Sequence, residues 1–515
     1  MRSPIAQLSD ETIALAKSAF ATNSIEKAIT VAGMNLVGYN LEAPSKKLYP
    51  VLSPLRNRFP RVMAPVGSSS AYWKAITNIN TTNVKASVAF GTRNASTISY
   101  GTKQMSQAYK SFGMEDSVDF EATWLSRGFE DVQALSALAT LQALMIEEEK
   151  LILGGLSDGQ ALGTPATPTL TQTATDGGAW GGTVTAYVKV MALPMYGYLN
   201  SDRDTLTALG DHSIPSAEAS RATIAATDSV TAVVAPVSGA FAYAWFVGTT
   251  SGNGTLTLTA ITSSPSVKLT APLGTGITVT TAGITDTSGD VNAFAGLYSQ
   301  ILNPASALVT LDGTGGGGAG ILKKVTGPST TVTGALVYDM TNSATAIGGS
   351  ALSSDGAFGI KEFDNVLQQL WETSRIGPTL MMMNAQQAGD ITRKIGADAG
   401  RRIQVSDGDK SITGGIFVSG YLNKFTSSLT PGSPDIIPFM IHPFLPPGQI
   451  IFISERLPYP NNEVNNVFEI ETQQEYADFQ FALAQRRYDH GVYAMEALKC
   501  YFPAGCAIIR NIKTG

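Results

Sequence analysis

Three histidines, His212, His442 and His490, and two cysteines, Cys500 and Cys506, are the residues of this 515-residue chain best suited to metal or nucleophilic chemistry. No histidine stands near a cysteine or a paired carboxylate at metal-ligand spacing. Neither a G-x-S-x-G elbow nor an H-E-x-x-H helix occurs. DGDKS, Asp407–Ser411, opens like a calcium loop, but Val418 takes the position that needs a bidentate glutamate. The run GTGGGGAG, Gly313–Gly320, lacks the Gly-Lys-Ser/Thr of a phosphate-binding loop. No catalytic, cofactor-binding or metal-binding residue is therefore expected. Cys500 and Cys506, on either side of YFPAG, can face each other on a hairpin or stand as two reduced, buried small hydrophobes. The low cysteine count and the lack of a secretion signal favour the second reading.

Charge is distributed more tellingly. The net charge is −6 and only 15% of residues are charged, which speaks against a general nucleic-acid binder and for extensive protein–protein contact. Residues 67–114 carry Lys74, Lys85, Arg93, Lys103 and Lys110 and no acid. Residues 115–155 reverse this, with nine acids against Arg127 and Lys150. The acids include Glu130, Asp131 and the run Glu147, Glu148 and Glu149. That run sits near a predicted helix C-terminus, where it opposes the helix dipole. A basic ribbon beside an acidic helix predicts an electrostatic contact, between subunits if the ribbon reaches away from its own body. Arg56, Arg58 and Arg61 are expected to be solvated or paired with acidic neighbours.

The elements that must hold these charges follow from periodicity. Arg127–Gly155 reads as one long amphipathic helix, with Val132, Leu135, Leu138, Leu141 or Ala139, Met145 and Ile152 along one stripe and Gly154-Gly155 as a left-handed stop. Residues 1–66 form an arm: a short helix capped by Ser9, then an extended stretch punctuated by Pro44, Pro50, Pro54, Pro60 and Pro65. Residues 67–114 alternate as a two-stranded ribbon. From 164 to 287, short Thr- and Val-rich strands at regular intervals predict a β-sandwich, with Tyr243 and Trp245 on one face of a central strand. Phe358–Arg375 predicts an amphipathic helix, LMMM a short buried strand, and Asn384 the cap of another helix. The final VYAMEALKCYFPAGCAIIRNI suggests a hairpin. No apolar run is long enough to cross a membrane, and the first residues lack the apolar stretch of a signal peptide.

The order of these parts resembles the major capsid proteins of tailed bacteriophages, the HK97-like fold. LYPVLSPLRNRFPRV and SVDFEATWLSRGFEDVQALSALATLQALMIEEEKLILGG carry the resemblance on either side of the ribbon. GPTLMMMNAQQAGDITRKIGADAGRRI and IPFMIHPFLPPGQIIFISERLPYP carry it in the second half. It implies an α+β capsid fold of N-terminal arm (1–66), extended β-loop (67–114), peripheral domain with spine helix (115–163) and axial domain (288–440). Return strands occupy 441–515, and an immunoglobulin-like sandwich is inserted at 164–287. It also implies a subunit that self-assembles into pentamers and hexamers of an icosahedral head. Scaffold, portal and possible decoration proteins would be partners, double-stranded DNA would be enclosed without sequence readout, and the virion would be the location, with assembly in the host cytoplasm. Some such proteins join loop lysines to asparagines covalently, a chemistry not carried over to Lys74 or Lys103. LYPVLSPLRNRFPRV lies close to Met1, so no long cleaved segment is expected. An encapsulin-like cargo shell shares the fold and is the nearest alternative. A carbohydrate-binding surface protein is the next, and would need a signal peptide.

Overall fold

A computed structural model gives the structure of the chain and describes residues 50–65, 67–80, 99–127, 130–302, 335–399, 418–425, 436–459, 461–483 and 485–513. The Ser9-capped helix, most of the proline-rich arm, Lys85, Arg93, the run Gly313–Gly320 and Asp407–Ser411 lie outside these residues. The chain divides into two units, Met1–Pro50 with Val118–Leu135, and Val51–Ser117 with Ser136–Gly515.

In the first unit a short helix, Phe120–Leu125, presents Trp124 and Leu125 at 65% and 87% exposure. The Arg127 guanidinium stacks over the Trp124 ring at 3.9 Å. Asp131 then caps the long helix Val132–Gly154, accepting hydrogen bonds from the Gln133 and Ala134 amides at 3.1 and 3.2 Å. At 23 residues this helix is about 34 Å long.

In the second unit the long helix buries Ile152 of the expected stripe but otherwise a different face. Ser136, Thr140, Leu144, Glu148 and Ile152, four residues apart, face inward together with Glu149 and Leu153. Leu138 is exposed, and Leu141 and Met145 are only half-buried. The inward polar groups are tolerated because each has a partner, Thr140 donating its hydroxyl to the Ser136 carbonyl at 2.9 Å. Gly154 and Gly155 do not form the expected left-handed stop, since neither has positive φ. Glycine at 155 instead admits a close backbone neighbour: a Cβ there would meet the Phe294 carbonyl oxygen at 2.5 Å.

The arm is not wholly extended either. Pro54–Arg58 is a short helix with proline in its first turn, where the missing amide costs nothing. Leu55 and Phe59 bury themselves in the main core, Phe59 stacking on Phe468 at 5.2 Å. The arm continues into strand β1 (Arg61–Met63).

Among the described residues, strands β2 (Ser70–Asn80) and β3 (Ser99–Ala108) pair with each other alone, as an antiparallel ribbon. Strand β4 (Lys110–Asp119) joins a four-stranded sheet in the order β1-β17-β18-β4, where β17 is Phe468–Gln480 and β18 is Arg487–Cys500. On β18, His490, Val492, Ala494, Glu496 and Leu498 are buried, the alternation of a strand with one covered face. The long helix covers that face in the same direction. Ser136 meets His490 and Glu148 meets Glu496. Those twelve helical residues rise about 18 Å, matching the roughly 20 Å of six strand residues.

Strands β5 (Thr169–Thr173), β6 (Val184–Leu193), β7 (Ala219–Ile224), β8 (Ser229–Val233), β9 (Ala242–Gly248), β10 (Thr257–Thr262) and β11 (Ser266–Leu269) form two sheets, ordered β10-β9-β6-β7 and β11-β8-β5. They share a core of Trp180, Val188, Val190, Trp245, Val230 and Val267, with Tyr243 beside Trp245 as the sequence predicts. The opposite face of the four-stranded sheet is equally buried. Met191, Leu193, Ala244, Phe246 and Leu258 belong to the main core, alongside Ile152, Leu153, Phe294 and Tyr298. The sandwich is therefore continuous with the body through one sheet.

Strands β12 (Leu336–Asp339), β13 (Leu380–Met383), β14 (Gly420–Leu422), β15 (Ile436–Ile441), β16 (Ile450–Ile453) and β19 (Ala507–Arg510) form a six-stranded sheet ordered β12-β19-β16-β13-β15-β14. The methionine run sits in its middle. Met381 and Met383 face the helix Lys361–Ser374, whose Phe363, Val366, Leu367 and Leu370 are buried, while Leu380 and Met382 face the main core. Asn384 caps the helix Ala385–Ala399 by accepting from the Gln386 amide at 2.9 Å. The final residues are not a hairpin: β18 and β19 belong to different sheets. Cys500 and Cys506 are both buried free thiols, and burial pushes both thiols up, Cys506 to about 12.

Candidate functional site: assembly surfaces and a buried charge cluster

The charged residues singled out in the sequence fall into three groups. Lys74 is exposed on β2, opposite Gln104, and Lys103 lies opposite Ala75. Lys110 is engaged within its own chain, its ammonium donating to the Val291 carbonyl at 2.6 Å. Asp131 is the helix cap, the Glu130 amide donates to Ser126, and Glu147 pairs with Lys150 one turn on. Glu148 and Glu149 are fully buried, so the expectation that they face a neighbouring subunit is corrected. Their awkward fit to the helix dipole is resolved internally, by cations and amides brought from the arm.

The arm, strands β17 and β18, and the segment after β15 converge around these two glutamates. The arm supplies Arg56, whose Nε lies 2.8 Å from Glu148 Oε2, and Arg61, which bonds Glu148 Oε1 through Nη2. The other Arg61 nitrogen, Nη1, reaches Glu496 Oε2 on β18 at 2.8 Å. Tyr476 on β17 donates its hydroxyl to Glu148 and accepts from Arg56 Nη2 at 2.9 Å. Burial, then the Glu148 charge, pushes the Tyr476 phenol far up. Glu149 accepts from the Leu55 and Arg56 amides at 2.9 and 2.8 Å and meets His442 Nε2 at 2.7 Å. His442 Nδ1 accepts from the Phe444 amide at 3.2 Å, so the ring donates through Nε2 as the neutral tautomer. Arg58 forks onto Glu455. All three arm arginines are thus paired with acids. A groove of about 290 Å³ opens beside Arg56 and Arg61, lined also by Val62, Met63 and Tyr476.

At the other end of the helix, Ser136 Oγ donates to Asp116 and meets His490 Nε2 at 2.8 Å, while His490 Nδ1 stands 3.5 Å from Asp478. These are the residue types of a hydrolytic triad, but they are wired otherwise. The hydroxyl proton goes to Asp116, so the ring nitrogen facing Ser136 is a donor rather than a base. The arrangement fastens helix to strand.

Sequence reasoning missed an open acidic groove of about 460 Å³ next to this contact, lined by Glu115, Asp116, Ser117, Phe481, Arg487 and Asp489. Its parts come from segments more than 350 residues apart, which no local pattern connects. Around it, at the end of the β17–β18 hairpin, Phe479, Phe481, Leu483 and Tyr488 are exposed. Edge strand β1 exposes Val62 and Met63, and the β14–β15 edge of the six-stranded sheet exposes Leu422, Ile436 and Ile441. Among the described residues, no cluster of three or more His, Cys, Asp or Glu is arranged to hold a metal ion.

No family model matches the chain, and no curated protein matches it in sequence. Among solved structures it is similar to the cyanophage A-1(L) capsid, with 8% identity, a TM-score of 0.42, and 94% of this chain and 99% of that one covered. It is also similar to the capsid of a native GTA particle, with 9% identity, a TM-score of 0.40, and coverage of 94% and 98%. The holo-SrpI encapsulin complex of Synechococcus elongatus is similar at 8% identity and a TM-score of 0.36, with coverage of 94% and 96%. Each similarity runs along nearly the whole chain at single-digit identity.

Proposed function

We propose that the chain is the shell-forming subunit of a phage head, self-assembling into pentamers and hexamers that enclose double-stranded DNA. The observation that carries this reading is where the apolar surface is left. The cores are closed, yet large apolar side chains stand exposed on the hairpin end, on the β1 edge and on the β14–β15 edge. Soluble monomers rarely leave such groups gathered on projecting tips and open strand edges, where they invite pairing with another chain. A copy of the same chain is the partner this distribution suits. The ribbon β2–β3 would reach a neighbour, its lysines meeting acidic surface there, with the groove at Glu115, Asp116 and Asp489 in place of Glu148 and Glu149. The three-stranded sheet β11-β8-β5, whose β5 is exposed at Thr169, Thr171 and Thr173, would lie on the outer surface. Scaffold and portal proteins belong to the same proposal.

Electron microscopy of the purified protein and of particles from infected cells tests it. Closed icosahedral shells containing DNA are expected. Shells filled with a protein cargo would favour the encapsulin-like alternative, and a monodisperse monomer at all concentrations would defeat both. Within this reading, reversing Lys74, Lys85 and Lys103 to Glu should abolish particle formation at low salt while the subunit stays folded. Unchanged assembly by light scattering would remove the ribbon charges from the mechanism.

A further inference from the structure

The cluster under the arm holds more negative charge than its cations balance. Glu148, Glu149 and Glu496 are all fully buried. Against them stand two guanidiniums, Arg56 and Arg61, because His442 is held as the neutral tautomer by the Phe444 amide. Glu149 is satisfied by two backbone amides and the His442 ring. Glu148 is satisfied by both arginines and Tyr476. Glu496 has one oxygen on Arg61, and its other oxygen, Oε1, is buried without a donor. The groups facing it are Glu148 from the long helix, Arg61 from β1, and Thr472 from β17, with Tyr476 and Arg56 beyond Glu148 and Glu475 on the groove wall. Among the described residues, Arg61 is the one cation paired with it. Three buried carboxylates held by two guanidiniums cannot all stay ionised at low cost, and Glu496, paired through one oxygen to Arg61, is the least satisfied of them.

We propose that Glu496 and Glu148 form a proton-binding site, one proton bridging the two carboxyl groups, and that its loss loosens the arm from the body. Such a proton would give the pair the donor that Glu496 lacks. Burial first, and then the Glu148 charge, push the Glu496 carboxyl up to about 8, with Arg61 opposing. The sign follows from the number of protons bound. Between the ordinary glutamate value of 4.5 and about 8 the folded chain holds one proton that the unfolded chain has released. Stability contributed by the site is therefore fully present below the unfolded value and falls as pH rises through that window. The slope approaches tenfold in the folding equilibrium per pH unit for a single proton. Above the folded value the repulsion remains but no longer grows. The element that yields is the arm, because Arg61 is its partly exposed member and the groove beside it admits water.

Thermal unfolding of the full chain from pH 5 to 9.5, with hydrogen exchange read at residues 51–63, tests the site. The wild type should lose melting temperature steadily up to about pH 8 and lose protection in the arm over the same range. Glu496→Gln supplies the bridging hydrogen permanently, so it should melt higher than wild type at pH 8.5 and show a flattened profile. A Glu496→Gln profile that parallels wild type, with arm exchange unchanged by pH, would overturn the proposal. Should Glu496→Gln fail to fold, infrared difference spectra of the wild type decide the matter. A protonated carboxyl band that persists at pH 7 and bleaches above pH 8 is expected, and the absence of such a band would overturn the site.

Discussion

Excising residues 164–287 and bridging the ends should leave no soluble, cooperatively folding protein. A sandwich inserted on a stalk would come away cleanly. Here one sheet of it is a wall of the main core, through Met191, Leu193, Ala244, Phe246 and Leu258. Removing them uncovers Ile152, Leu153, Phe294 and Tyr298, all with exposure near zero. A fully buried side chain of this size is worth about 1.5–3 kcal/mol. Uncovering these four costs about 6–12 kcal/mol, comparable to the whole of the roughly 5–15 kcal/mol by which a domain is stable. A graded version of the same test is Phe246→Ala, expected to cost about 3–5 kcal/mol, against well under half that for Thr171→Ala on the half-exposed strand β5. A deletion variant that is soluble, melts in one transition and still assembles would show the sandwich to be separable after all.

Glu148→Ala should be nearly as damaging, costing about 3–5 kcal/mol because breaking a buried ion pair leaves its partners uncompensated. Arg56 and Arg61 both lose a carboxylate, and Tyr476 loses its acceptor. Partial access of Arg61 to solvent places the value at the lower end of that range. Glu147→Ala, one residue away on a half-exposed surface, removes only a pair with Lys150 and should cost well under 1 kcal/mol. Denaturant unfolding of the two variants side by side checks the contrast. Equal midpoints would mean that the cluster contributes nothing to holding the arm.

The long helix, the ribbon and the buried methionine strand were legible because each has a local signature in residue spacing. The inward face of the helix was not. Periodicity assigns apolar residues to the inside, yet Ser136, Thr140, Glu148 and Glu149 are buried and Leu138 is exposed. Thr140 bonds back to the Ser136 carbonyl, but what satisfies Ser136, Glu148 and Glu149 comes from Asp116, Arg56, Arg61, His442 and His490, none of them close in sequence. The sandwich's attachment left a signal that was available: AYAWFVG is apolar at every position, the mark of a strand covered on both faces, whereas a free sandwich strand alternates. The arm helix was hidden by its proline, which blocks a helix interior but suits a helix start.

The contact between the long helix and β18 also limits how the subunit can move. It is polar at both ends, Ser136 with His490 and Glu148 with Arg61, which also holds Glu496, and the inward helix residues between them are Thr140 and Leu144. Sliding the helix by one turn, about 5.4 Å, would break both ends at once while the middle gained nothing in return. Helix and hairpin are thus pinned like a ruler held at two marks. Helix and hairpin are therefore expected to move together, which ties the exposed Phe479–Tyr488 end to the arm.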